Sequence, residues 1–272
     1  MDTRPIGVFD SGLGGLTAVR ELVKILPQED IVYFGDTGRV PYGSRSSETI
    51  RRYVAQDVKF LVSKGVKMII AACGTASANM TKEIIDSMGV PYTGVVVPAA
   101  MKAAEVSKTQ QIGVIGTRAT IRSKTFDNVL KSISSDCVVT SNACPMFVSL
   151  VENGYSNFDN AVTRLVAHDY LRPFIQNPDL DTLILGCTHF PILADIIGDI
   201  LGKRITLIDP GREAAHYARQ ILQQGGRLND PAHKGVCRYY ISDNPEGFAE
   251  NASVILREPV YGSVEKIDID AY

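Results

Sequence analysis

Residues 68–75 read MIIAACGT, and residues 183–188 read LILGCT. Each is an apolar run that ends in small residues, a cysteine and a nearby threonine. Short runs rich in Ile, Leu and Val, with no polar alternation, suit parallel strands buried on both faces. Upstream of each lies a second matching pair: residues 6–11, IGVFDS, and residues 112–117, IGVIGT. These runs end in a hydroxyl residue, Ser11 or Thr117. From Ser11 to Cys73 is 62 residues and from Thr117 to Cys187 is 70, in the same order. The pattern predicts a duplicated architecture. Two related halves facing one another place Cys73 and Cys187 on opposite walls of one cleft.

The remaining segments agree with that reading. IVYF from Ile31, VVV from Val95, CVVT from Cys137 and ITLI from Ile205 are further expected strands. Between them, LTAVRELVKIL from Leu16 repeats its apolar residues at helical spacing. SETIRRYVAQDVKFLVSKG from Ser47 does the same, with Ser46 or Ser47 as N-cap and Gly65 as a C-terminal stop. Strand and helix alternate, so the class is α/β with parallel sheets. The chain has 272 residues, 45% of them hydrophobic and 21% charged, as in an ordinary soluble globular protein. Lys and Arg number 28 against 30 Asp and Glu, a net charge of −2. No nucleic-acid or anionic-membrane partner is expected from that balance. No apolar run reaches the roughly 18 residues of a membrane span. The start, MDTRPIGVFDSG, enters a strand with no leader pattern. Five widely spaced cysteines do not form a disulfide framework. A cytoplasmic chain with reduced thiols is expected.

Ligands of open α/β sheets bind beyond the carboxyl ends of the strands. Asp10, Ser11, Cys73, Thr75, Thr117, Cys187, Thr188 and His189 all fall there. A helix starting at Thr75, and another with Pro191 in its first turn, would aim free amides at the two sulfurs. That should lower a thiol from its usual pKa of about 8.5 toward neutrality. Two acid–base groups on opposite faces of one carbon are what inversion at a stereocentre requires. Assistance to the carbanion is expected from nearby ionisable groups, Asp10 for one thiol and His189 with Glu152 for the other. No convincing Schiff-base lysine context is visible, and no cofactor is expected. The turn from Arg39 to Ser44, RVPYGS, contains Pro41 and Gly43 and can present successive backbone N–H groups as an anion nest, or be a plain surface turn.

With these residues in view, the chain resembles the cofactor-independent glutamate racemases of bacteria, within the wider aspartate/glutamate racemase superfamily. The resemblance runs over nearly the whole length. It is carried by GVFDSGLGGLTAVREL, FGDTGRVPYG, IIAACGT, FVSLVENG and LILGCTHFPIL. It implies two similar parallel-sheet α/β domains related by a pseudo-two-fold axis, residues 1–97 plus 208–272 and residues 98–207, with the active site between them. It implies that Cys73 is the base for one enantiomer of glutamate and Cys187 for the other, tuned by Asp10, Glu152 and His189. Asp10, Ser11, Pro41, Tyr42, Gly43, Ser44, Gly74, Thr75, Thr117, Thr188 and His189 would bind substrate. No metal is implied. The family's role is supply of D-glutamate for the cell wall, and homodimers are common. One departure is Gly74, where many members carry Asn. Gly74 is expected to offer its N–H to substrate while a water fills the vacated space.

Other readings compete. DSGLGG resembles a dinucleotide turn, and Asp36 ends a strand at a suggestive distance. Gly12, Gly14 and Thr17 do not complete GxGxxG, and Asp10 would repel a pyrophosphate. No GxSxG appears for a serine hydrolase. Cys187 and His189 lack zinc-site spacing. Cys137, Cys144 and Cys237 are expected to be structural, and His168, His216 and His233 are assigned no role. The functional alternatives are a racemase of the same superfamily acting on aspartate or another small acid, and a non-catalytic module binding an amino acid or a protein.

Overall fold

The computed structural model describes residues 1–256 and 264–272. Its elements alternate as the sequence leads one to expect. The first part runs β1 (Ile6–Asp10), α1 (Leu16–Ile25), β2 (Ile31–Gly35), α2 (Ser47–Ser63), β3 (Met68–Ala71), α3 (Gly74–Ala78), α4 (Lys82–Ser87) and β4 (Tyr92–Gly94). Next come α5 (Val96–Val106), β5 (Gln111–Gly116), α6 (Arg118–Ser123), α7 (Thr125–Ile133), β6 (Val138–Ala143), α8 (Pro145–Glu152) and α9 (Ala161–Ile175). The chain continues through β7 (Thr182–Leu185), α10 (Ala194–Leu201), β8 (Thr206–Ile208), α11 (Pro210–Gln224), β9 (Cys237–Ile241), α12 (Phe248–Leu256) and β10 (Val264–Lys266).

The strands form two sheets, ordered β10-β9-β2-β1-β3-β4 and β6-β5-β7-β8. Every strand pair is parallel. The order β2-β1-β3-β4 recurs as β6-β5-β7-β8, so the repeat read from Ser11/Thr117 and Cys73/Cys187 is a repeat of topology. β9 and β10 extend only the first sheet, on the β2 side.

Burial explains the unbroken apolar runs. All five residues of β1 and all four of β3 and of β7 are buried. Leu16, Val19 and Leu22 of α1 pack with Ala215, Ala218 and Leu222 of α11 on one face of the first sheet. Val54, Val58 and Leu61 of α2 cover the other face. The second sheet is likewise covered on both sides, by α8, α9 and α10 on one and by α5 and α7 on the other. Each fully buried Ile or Leu contributes about 1.5–3 kcal/mol. Ser46 caps α2 by accepting from the Thr49 amide, and Gly65 follows the helix in a left-handed conformation at φ +68.

Two expectations fail locally. Val95–Val97 is no strand: α5 starts at Val96, and the strand is the preceding Tyr92–Gly94. Pro98 in the first turn and the following AAMKAA are strong helix material, and Val97 is exposed. The segment after Cys187 begins as a 3₁₀ turn, Phe190–Leu193, before α10. Among the described residues no helix is long and apolar enough to cross a membrane. All five cysteines are free.

Candidate active site

The carboxyl ends of β1, β3, β5 and β7 deliver their following residues to one cavity of about 510 Å³. Ser11, Cys73, Gly74 and Thr75 arrive from the first sheet; Thr117, Cys187, Thr188 and His189 arrive from the second. Pro41, Tyr42, Gly43 and Ser44 form another part of its wall, and Glu152 reaches it from the end of α8. Cys73 and Cys187 are each buried except for 6% and 8% of their surface.

The chain uses these residues as helix caps. Cys73 caps α3, its sulfur accepting from the Ala76 amide at 3.4 Å. Thr117 caps α6, accepting from the Thr120 amide at 3.2 Å. The hydroxyls of Thr75, Thr117 and Thr120 meet in a triangle with separations of 3.1, 3.3 and 3.1 Å, joining α3 to α6. Thr17 donates to the Thr188 carbonyl at 3.0 Å, a second tie between the halves. A side chain on Gly14 would strike Thr188 and the His189 ring. The glycine-rich turn is thus explained by close approach of the halves, with no nucleotide required.

The two thiols sit in unlike surroundings. Cys73 donates to Ser11 Oγ at 3.5 Å. Contrary to the expectation of a thiol lowered toward neutrality, it is pushed up to about 12 by burial and by the Asp10 charge, against the Ala76 amide and the Ser11 hydroxyl. The short α3 supplies one amide, and desolvation outweighs it. Around Cys187 the expected helix N-terminus is a 3₁₀ turn, and the neighbour that matters is His189, whose Nδ1 lies 3.8 Å from the sulfur. His189 Nε2 contacts Glu152 Oε1 at 3.0 Å. Burial alone would lower the imidazole, but Cys187 and Glu152 outweigh it and raise His189 to about 10. The ring is a cation at neutral pH and can stabilise negative charge on Cys187.

Asp10 departs from expectation. It does not border the cavity but lies behind it, 1% exposed, with Oδ2 accepting from the Gly12 amide at 3.0 Å. The turn that follows β1 draws the carboxyl back into the protein. Among the described residues its Oδ1 has no hydrogen-bond partner. Burial raises its pKa, against the His189 charge. Tyr42 forms cavity wall while its hydroxyl turns away to Asp36 and Asp57.

Arg118, Arg122, Pro145, Val148 and Ser149 also line the cavity and were not anticipated. Arg118 directly follows Thr117, the counterpart of Ser11, and Arg122 is one helical turn further on. Adjacency to Thr117 was the one sequence signal for Arg118; the first half has Leu16 where the second has Arg122.

Gly74 borders the cavity and packs closely against the second half. A Cβ there would lie 2.6 Å from the Gly186 carbonyl oxygen, so a side chain at this position meets the backbone of the second half. Gly74→Ala must push the ends of β3 and β7 apart, an overpacking cost of about 1–3 kcal/mol. A lowered melting temperature together with a reduced kcat is expected; a variant unchanged in both contradicts this contact.

Fold and site together define the class: an α/β protein of two parallel sheets, with one thiol from each at a shared cavity. The Asp/Glu/hydantoin racemase family matches residues 6–218. The chain is 41% identical over 271 residues to a glutamate racemase of Geobacter metallireducens, covering 100% of this chain and 99% of the relative. Its fold superposes with a TM-score of 0.93 on a glutamate racemase isoform of Bacillus anthracis, at 36% identity and 98% coverage of both chains. For the glutamate racemase of Francisella tularensis in complex with D-glutamate the TM-score is 0.91, at 36% identity and full coverage of both. The chain belongs to the Asp/Glu/hydantoin racemase family.

Proposed function

We propose that this chain interconverts L- and D-glutamate, an isomerase activity supplying D-glutamate for peptidoglycan, by passing a proton between two cysteines. The observation that carries the proposal is one thiol from each sheet at one cavity. The units, residues 1–97 with 208–272 and residues 98–207, each contribute one thiol to the cavity, Cys73 and Cys187. One sulfur removes the α-proton, and the opposite thiol returns a proton to the other face. The roles reverse for the other enantiomer. His189, held by Glu152, supports negative charge on Cys187, while burial, with Asp10 behind it, keeps the proton on Cys73. Ser11, Thr75, Thr117, Thr188 and the backbone of residues 41–44 and 74 hold the substrate's polar groups. The likeness to glutamate racemases over the full chain supports glutamate over aspartate. The family resemblance also supports a cytoplasmic homodimer acting without a cofactor.

Incubation of the purified protein with L-glutamate in heavy water tests this. Optical rotation should decay to zero while deuterium enters Cα. Binding without deuterium uptake would identify a non-catalytic module. Activity that appears only on adding pyridoxal phosphate or a metal would refute the cofactor-free chemistry.

A further inference from the structure

Behind the cavity wall formed by residues 40–44 lies a cluster that the racemisation chemistry does not use. Asp36, just after β2, and Asp57, in the middle of α2, are both fully buried. The single phenol of Tyr42 stands between them, within hydrogen-bond distance of Asp36 Oδ2 and 2.9 Å from Asp57 Oδ2. Arg39 donates to Asp36 Oδ2 at 2.6 Å and to Asp57 Oδ1 at 3.2 Å. Ser242 donates to Asp36 Oδ1 at 2.7 Å.

A phenol carries one proton and cannot donate to two carboxylates. One of the two contacts therefore needs a proton on the carboxyl side. Asp36 already receives Arg39, Ser242 and the phenol, the pattern of an ionised acceptor. Asp57 Oδ2 has only the phenol oxygen to face. We infer that Asp57 is a neutral carboxylic acid that donates to Tyr42, whose phenol donates to Asp36, so that a single shared proton fixes the substrate-facing loop 40–44. Asp57 is then a positioning residue acting through Tyr42.

The charges balance within the buried pair: one Asp36 carboxylate against one Arg39 guanidinium. Burial raises Asp57 well above the usual carboxylate range, and the Asp36 charge adds to this, with a smaller contribution from Asp10. Arg39 and the Tyr42 hydrogen bond oppose it. Beyond these groups, Asp270 lies 3.8 Å from Arg39 on the exposed side. Gly43, carried by the same loop, abuts Thr117 of the second half, so a loosened loop disturbs both walls.

The protonation is independent of the substrate; its effect on KM rests on the glutamate racemase reading. Infrared spectra of the intact protein at neutral pH should show the C=O stretch of a protonated carboxylic acid that disappears in Asp57→Asn. That variant keeps a donor toward Tyr42 and an acceptor toward Arg39, and its KM should stay within about threefold of the parent. Tyr42→Phe, which removes the bridge, should raise KM about tenfold or more with a smaller change in kcat. The parent's KM should rise at alkaline pH as Asp57 ionises, and that rise should be absent in Asp57→Asn. An infrared difference lacking the acid band overturns the inference whether or not the protein turns over glutamate. So does a KM in Asp57→Asn raised as far as in Tyr42→Phe.

Discussion

Cys73→Ser and Cys187→Ser should each lower kcat/KM by at least about 10³-fold, the scale of a lost acid–base catalyst. The fall must be equal in both directions. Enantiomers have equal free energy, so the equilibrium constant is one, and the two kcat/KM values of any variant are tied together. The distinction between the thiols therefore has to be read from isotope exchange. With one sulfur left, a proton can be taken from and returned to a single face. Each variant should wash deuterium slowly into one enantiomer without inverting it, and the two variants should choose opposite enantiomers. Oxygen for sulfur is a small change at sites 6% and 8% exposed, so melting temperatures should move little. A single variant that still racemises at near-parental rate would end the two-base assignment.

The second large effect is expected at His189. His189→Asn removes the cation 3.8 Å from Cys187 and unpairs Glu152. A loss of kcat/KM of about 10²-fold or more is expected from removing that stabilisation of developing charge. The same residue predicts a pH dependence of stability. Its pKa rises from 6.5 in the unfolded chain to about 10 in the folded protein. A raised cationic group stabilises the fold fully below pH 6.5, and that contribution is lost as pH climbs through about 10. Urea midpoints of parent and variant, compared at pH 6 and pH 10, should converge at the alkaline end. A gap that is constant with pH would show that His189 is not the cation described.

Much of the fold was legible because parallel strands buried on both faces leave a simple signature. IGVF, MIIA, IGVIG and LIL are apolar throughout since both sides are covered by helices. The repeat of Ser11/Cys73 in Thr117/Cys187 located the cavity for the same reason: equivalent strands end at equivalent places. What stayed hidden depended on tertiary surroundings. Val95–Val97 has strand composition, but Pro98 and the alanines after it decide the segment. Helix amides near Cys73 could be foreseen, whereas the burial and the Asp10 charge that outweigh them could not. Asp57 sits within an amphipathic helix pattern as though solvated, and only the loop folding back over α2 encloses it. Arg118 and Arg122 have no counterpart arginines in the first half, where Gly12 and Leu16 stand, and no cysteine or carboxylate beside them to draw notice.

Because β9 lies between β2 and β10, a ribosome must make nearly the whole chain before the six-stranded sheet can be finished. Strands β1 to β4 emerge early, β5 to β8 close their own sheet during synthesis, and β9 and β10 come last. Until β9 arrives, β2 displays an open row of amides and carbonyls on which a strand from another nascent chain can dock. Premature termination after residue 225 therefore yields an aggregation-prone fragment rather than a smaller working protein, even though both sulfurs have already been synthesised.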